Sequence, residues 1–257
     1  MKKDYKEKFI RLWQRYFNNL SLPLVFYYSN WVKGVELAKP GSIPRCLVGA
    51  LTLVENGRPL ALGADSLECL GGQRYLGFRP EIRPDFEFFL SSGIPGKMEG
   101  ERYKKTPALV KEIVKNWPSF KAPKPFIIFK RWDQIDSDDQ PEVVIFFSPP
   151  DVLSGLFTLA NYDEARPEAV IAPMGSGCSS IVTYPYLERD SANPRAVIGL
   201  FDPSARPYLP EDRLSFAVPM AKFIKMVDNM EESFLITATW KKIQARLKPI
   251  EKRNKSD

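Results

Sequence analysis

No histidine occurs in the 257 residues. Its absence removes the side chain that most often serves as general base or metal ligand, and with it any Ser–His–Asp arrangement. Acid–base work is left to carboxylates, Lys, Tyr or Cys. A transition-metal site must be built from cysteine, carboxylate or an external ligand. Cysteine is scarce too, being limited to Cys46, Cys69 and Cys178. An odd, sparse set with no C-x-x-C pair is neither a disulfide framework nor a zinc-ribbon pattern. No apolar run is long enough to span a bilayer. The opening MKKDYKEKFIRLWQRYFNNL lacks the apolar segment and small-residue cleavage site of an export signal. A soluble, cytoplasmic protein is expected. Phosphate-loop signatures are missing as well. GSGCSS at 175–180 has no Lys-Ser/Thr after its glycines, and it lacks the three spaced glycines of a dinucleotide site.

What is present suits a sizeable core, since apolar residues make up 44% and aromatics 12%. The net charge of +6 sits at the ends. Residues 1–15 carry six basic and two acidic side chains and residues 241–257 carry seven and two, which leaves the body at −3. Nucleic-acid grooves concentrate positive charge on the folded body, so these tails read as solvated helix faces and no nucleic-acid partner is expected.

Phe9, Leu12, Trp13, Tyr16, Phe17 and Leu20 recur at helical spacing and predict a first helix within 1–20. A body over 21–230 follows, with two pseudo-repeated halves as one option, and then a basic C-terminal helix and tail over 231–257. In the body, LPLVFYY, PLALGAD, KPFIIFK, PEVVIFF, EAVIAPM, RAVIGLF and RLSFAV read as strands. CLVGALTLVENG, TPALVKEIVKNW, DVLSGLFTLANY and PMAKFIKMVDNM read as helices, and PDFEFFLSSG as a short helix or an extended piece. Asn56-Gly57 stops the first of these, Thr106 with Pro107 opens the second, and Ser66 is the expected cap of LECLGGQRYLGF. A strand–proline–helix pattern recurs in VIFFSPPDVLSGLFTLA and LSFAVPMAKFIKMV. It reads as an ordinary α/β transition, with duplication as the alternative. The expected fold is α+β or α/β, a mixed sheet with interleaved helices and terminal helices packed on the body.

Each cysteine falls near a predicted helix start, where unpaired backbone N–H groups favour thiolate. Gly71 and Gly72 follow Cys69, and Gly175 and Gly177 precede Cys178. Such glycines let backbone approach a bulky group and can form an anion-holding nest. The competing reading is a small buried side chain in each case.

PRCLVGALTLVENGRPLALGADSLECLGGQRYLGF, PEVVIFFSPPDVLSGLFTLA, GSGCSS and LFDPSARPYLPEDRLSFAVPMAKF occur in that order. With them the chain resembles domain-of-unknown-function family 169, a group of bacterial and archaeal proteins, over roughly residues 21–230. The family carries no assigned reaction. The resemblance implies that Cys46, Cys69 and Cys178 match its cysteine-bearing segments and share a site.

Three functions stay open beside a structural or interaction role, in which PDFEFFLSSG and the basic tails would contact a partner. In the first, the cysteines hold an iron–sulfur cluster or a zinc ion, with Glu68 and Asp65 as auxiliary groups. In the second, the glycine loop after EAVIAPM holds a small anionic ligand without catalysis, lined by Tyr184 and Tyr186. In the third, Cys178 is a nucleophile activated by Arg189, Arg195, Arg206 or the helix dipole. The partner is a small molecule or a metal.

Overall fold

The computed structural model describes residues 3–247. Helix α1 is Lys3–Phe17, and its aromatic stripe is buried as the spacing predicts. Strands β1 (Leu24–Ser29) and β2 (Glu36–Leu37) lead to α2 (Leu47–Glu55) and β3 (Leu60–Leu62). Three helices follow: α3 (Leu70–Tyr75), α4 (Phe86–Phe89) and α5 (Pro107–Asn116). Next come β4 (Phe126–Arg131), β5 (Val143–Ser148), α6 (Pro150–Asn161) and β6 (Val170–Ile171). A π-helical turn, Ser179–Thr183, runs into α7 (Tyr184–Glu188). The described chain closes with β7 (Ala196–Gly199), β8 (Leu214–Pro219), α8 (Met220–Asp228) and α9 (Ala238–Gln244). The basic tail expected beyond α9, residues 248–257, lies outside the described residues.

All eight strands form one mixed sheet in the order β2-β3-β4-β1-β5-β8-β7-β6. Pairs β2–β3 and β6–β7 are parallel; the other pairs are antiparallel. The two halves follow one plan about the central β1–β5 pair. In each, the second strand is at the edge, the third lies parallel beside it, and the fourth separates the third from the first. The one parallel pair in each half needs a crossover helix. That crossover is α2 in the first half and the π-turn with α7 in the second.

Both crossovers bury their apolar side chains in one core with Leu24, Phe26, Ile127 and Ile145. The other face of the sheet packs Val25, Val144, Phe146 and Phe216 against α1, α6, α8 and α9. With both faces covered, β1 and β5 are buried at every position, which is why they read as unbroken apolar runs. The strand–proline–helix recurrence belongs to β5–α6 and β8–α8. In the sheet plan β5 corresponds to β1 and β8 to β4, so the recurring segments are not the equivalent ones. They are neighbours whose helices pack on the same face.

Some local expectations change. Ser66 does not cap a helix: its hydroxyl accepts from Gly63 N–H and donates to the Ala38 carbonyl. The helix starts later, and Cys69 is its cap. Thr106 accepts from Leu109 N–H with Pro107 opening α5. Gly57 takes φ +90° after α2, the left-handed backbone that favours glycine. PDFEFFLSSG resolves into the single helical turn α4.

One buried ion network braces the sheet away from the cleft described below. Lys130 and Asp139 are 3% and 1% exposed and pair at 2.7 Å. Lys130 also reaches Asp136 at 2.7 Å, and Tyr27 donates to Asp139. Burial pushes the Asp139 carboxyl up, but bonds from Lys130 and Tyr27 outweigh it and hold it below the usual range. Asp139→Ala strands a buried ammonium and is expected to cost about 3–5 kcal/mol in urea unfolding. A loss below about 1 kcal/mol would mean that Asp136 alone satisfies Lys130.

Candidate functional site

The two crossovers start with cysteine. Cys46 precedes α2 in extended conformation, φ −81° and ψ 133°. Its sulfur makes no capping hydrogen bond, but the backbone N–H groups of Gly49 and Val48 at the helix start lower its thiol pKa. Cys178 precedes the π-turn and is 7% exposed. Because the crossovers share a face of the sheet, their first residues approach each other. A methyl placed on Gly177 would lie 3.2 Å from Val48 of α2. Cys69, the third thiol, caps α3 and accepts from Gly72 N–H at 3.4 Å.

These sulfurs, distant in the chain, come within electrostatic reach of one another. Burial pushes the Cys178 thiol well up, and Cys46, Cys69 and Asp202 push it further. Burial also raises Cys46; N–H groups of Gly49 and Val48 oppose it, while Cys69 and Asp202 add to it. All three pairs thus interact. Among the described residues, however, no group of three or more Cys, Asp or Glu side chains stands close enough to hold a metal ion.

Cys46 and Cys69 open into a cleft of about 1230 Å³. One wall is the body: α3, the loop after β6 and the loop after β7. The opposite wall is a flap, residues 79–118, carrying α4 and α5. The flap contributes Phe86, Phe89, Tyr103 and Trp117 to the lining. Phe86 and Trp117 pack ring to ring at 5.7 Å within it. The Tyr103 hydroxyl hydrogen-bonds Ser204, on the body side of the cleft. Across the floor, Tyr75 hydrogen-bonds Ser176, and burial raises its phenol to about 12.

The expected glycines divide. Gly71 and Gly175 line the cleft. Gly72 is buried against Leu67, and Gly177 packs on Leu200 and Ala205. The loop does not offer a free anion nest at Gly177, because its N–H already donates to Asp202 at 3.2 Å. Asp202 is the residue that the sequence reading missed. Its other oxygen accepts from Ser204 N–H at 3.0 Å and Ser204 hydroxyl at 2.8 Å. Asp-Pro-Ser directly after an apolar strand was the available signal, an Asx-type turn at a strand's carboxyl end.

The auxiliary candidates also divide. Glu68 lines the cleft and pairs with Arg45 at 2.9 Å. Asp65 lies in a separate hollow. Tyr186 is core, packed on Phe120 and Tyr28; Tyr184 is half-buried beside Gly175. Arg189 pairs with Glu142 and Asp190, Arg195 with Glu188, and Arg206 with the Arg213 and Glu211 carbonyls. None of these arginines is among the charges acting on Cys178. No helix among the described residues is long and apolar enough to cross a membrane.

The ordered cysteine segments, and every strand of the sheet except β1, lie within a stretch matched by one family model, residues 31–229. The chain belongs to domain-of-unknown-function family 169. The family's description is an uncharacterised ArCR group, so membership assigns no chemistry. Neither the curated proteins nor the solved structures include a match.

Proposed function

We propose that Cys46, Cys69 and Cys178 together hold an iron–sulfur cofactor that opens into the cleft. The observation that carries this reading is that the two cysteine-led crossovers share one face of the sheet with their first residues side by side, and that Cys46 and Cys69 both line the cleft. Three features support it. The histidine-free sequence leaves thiolate as the soft ligand. A backbone N–H, that of Gly72, donates to the sulfur of Cys69, the kind of hydrogen bond that tunes a cluster. A π-turn stands directly after Cys178, and such turns concentrate at functional sites. A single zinc at ~2.3 Å from each thiolate needs the three sulfurs nearly touching. The described residues hold no group that tight. A multi-iron cluster spreads its ligands over separate metals and matches the looser set better. Three protein ligands leave one iron open, and the cleft gives a small molecule access to it.

The test is anaerobic purification followed by reconstitution with ferrous iron and sulfide. The expected product is brown, with about four irons and four sulfides per chain if the cluster is cubane. Colourless protein that binds less than one iron would dispose of the reading.

A second reading is a binding module without a cofactor. The volume and aromatic lining of the cleft favour it. Burial of Cys178, which pushes its thiol well up, counts against a thiolate nucleophile there.

A further inference from the structure

The lining of the cleft is more specific than its size. Leu70, Met174, Phe201 and Tyr208 are 43%, 45%, 57% and 44% exposed, and all four face this one hollow. Opposite them stand the flap aromatics Phe86, Phe89, Tyr103 and Trp117. Aromatic and apolar side chains thus line the cleft from both the body and the flap. A flat apolar body fits such a slot, because rings stack face to face or edge to face at low ordering cost.

Charge narrows the ligand further. Most carboxylates on the lining are engaged within the protein. Glu68 pairs with Arg45, Asp85 with Lys97, Glu101 bonds Tyr103, and Asp202 accepts from backbone. Two guanidinium groups on the lining have no carboxylate partner among the described residues. Arg74 is half-buried and anchored through one nitrogen to the Pro80 carbonyl, which leaves the rest of its fork unused. Arg83 is exposed and stacks over the Phe89 ring at 4.2 Å. Against these two cations stands one unengaged carboxylate, Glu81, on the exposed segment leading to Arg83. A planar guanidinium held by a carbonyl or a ring is preorganised for two-point contact with a carboxylate, sulfonate or phosphate.

We infer that the cleft binds a small organic anion with a flat apolar body, held through its charge by Arg74 and Arg83. The anion is read by these side chains rather than by the Gly175–Gly177 loop. This rests on the cleft being the binding site and does not require the cofactor.

The test uses two fluorescent probes with nearly the same aromatic body, the anionic anilinonaphthalene sulfonate and the neutral phenylnaphthylamine. Each is titrated into the full chain, with and without iron reconstitution. Arg83→Gln and Arg74→Gln are each expected to weaken the anionic probe about tenfold, with the neutral probe unchanged. Phe201→Ser is expected to weaken both. Arg83 stacks on Phe89 and makes no side-chain hydrogen bond to backbone among the described residues, so its variant stays informative if Arg74→Gln disturbs the turn at Pro80. Equal weakening of both probes by the arginine variants, no effect of either variant, or no binding at all would overturn the inference. Protein that discriminates the probes through Arg83 but takes up no iron on reconstitution would overturn the cofactor reading alone. Iron-loaded protein that ignores Arg83 would overturn this one alone.

Discussion

Cys178→Ala is expected to abolish iron retention while leaving the fold intact. The side chain is small and buried, so its loss as mere core filler costs roughly 1–2 kcal/mol. A ligand's loss is different in kind. Removing one of three thiolates strips a cluster of an anchor that no neighbour can replace, since the sequence has no histidine and no fourth cysteine. Even outer partners of metal ligands typically change affinity about 10–100-fold, and loss of a direct ligand should exceed that. Cys46→Ala and Cys69→Ala should behave alike, although both sit on the cleft wall and Cys178 lies beneath it. The measurement is iron per chain after anaerobic desalting, beside a urea melt of the iron-free protein. Cys178→Ala protein that melts earlier yet keeps full iron would make Cys178 a packing residue.

Gly199→Ala should damage both fold and site through one added methyl. Gly199 ends β7 on the cleft, and a Cβ there would overlap the Cβ and hydroxyl of Ser180 and lie 3.2 Å from the Ser215 hydroxyl. Ser180 is in the π-turn that begins beside Cys178, and it is anchored by a bond to the Gly177 carbonyl at 2.9 Å. The obstacle is the stem of a buried residue, not the tip of a flexible side chain, so the turn itself must move. Overpacking of this kind costs about 1–3 kcal/mol or more. The displacement carries Cys178 with it. The expected result is a lower melting temperature and iron binding reduced about tenfold or more. Ser180→Gly on top of Gly199→Ala should restore most of both, because it removes the obstacle. Failure of the double variant to recover would place the fault elsewhere, in the strand or at Ser215.

The sequence disclosed the fold unevenly, for physical reasons. Strands β1 and β5 announce themselves because both faces are covered and each is an apolar run closed by one serine. Helix α1 does so because its buried stripe keeps helical period. Strand β2 left no trace: it is two residues long, exposed, and held by pairing with β3 and by the Arg58–Glu36 ion pair. Ser66 looked like a cap by residue type, yet its hydroxyl serves a turn and Cys69 takes the capping position. The cysteine starts were legible one by one, as residues ahead of helices. The approach of α2 to the π-turn was not, because it follows from strand order. Only when β1 and β5 pair at the centre do α2 and the π-turn lie on one face with their first residues together. Local spacing carries no information about that arrangement. The flap was hidden for a related reason. Phe86, Phe89 and Trp117 resemble core by composition, but they pack on one another and face the cleft, not the main core.

Iron K-edge X-ray absorption on the anaerobically reconstituted protein tests most directly whether three thiols share one cofactor. The expected spectrum has a first shell of sulfur and a second shell of iron, and the iron–iron shell vanishes when Cys46, Cys69 and Cys178 are replaced by alanine. A first shell of oxygen and nitrogen with no iron neighbour, unchanged by those replacements, would contradict a shared cysteine site.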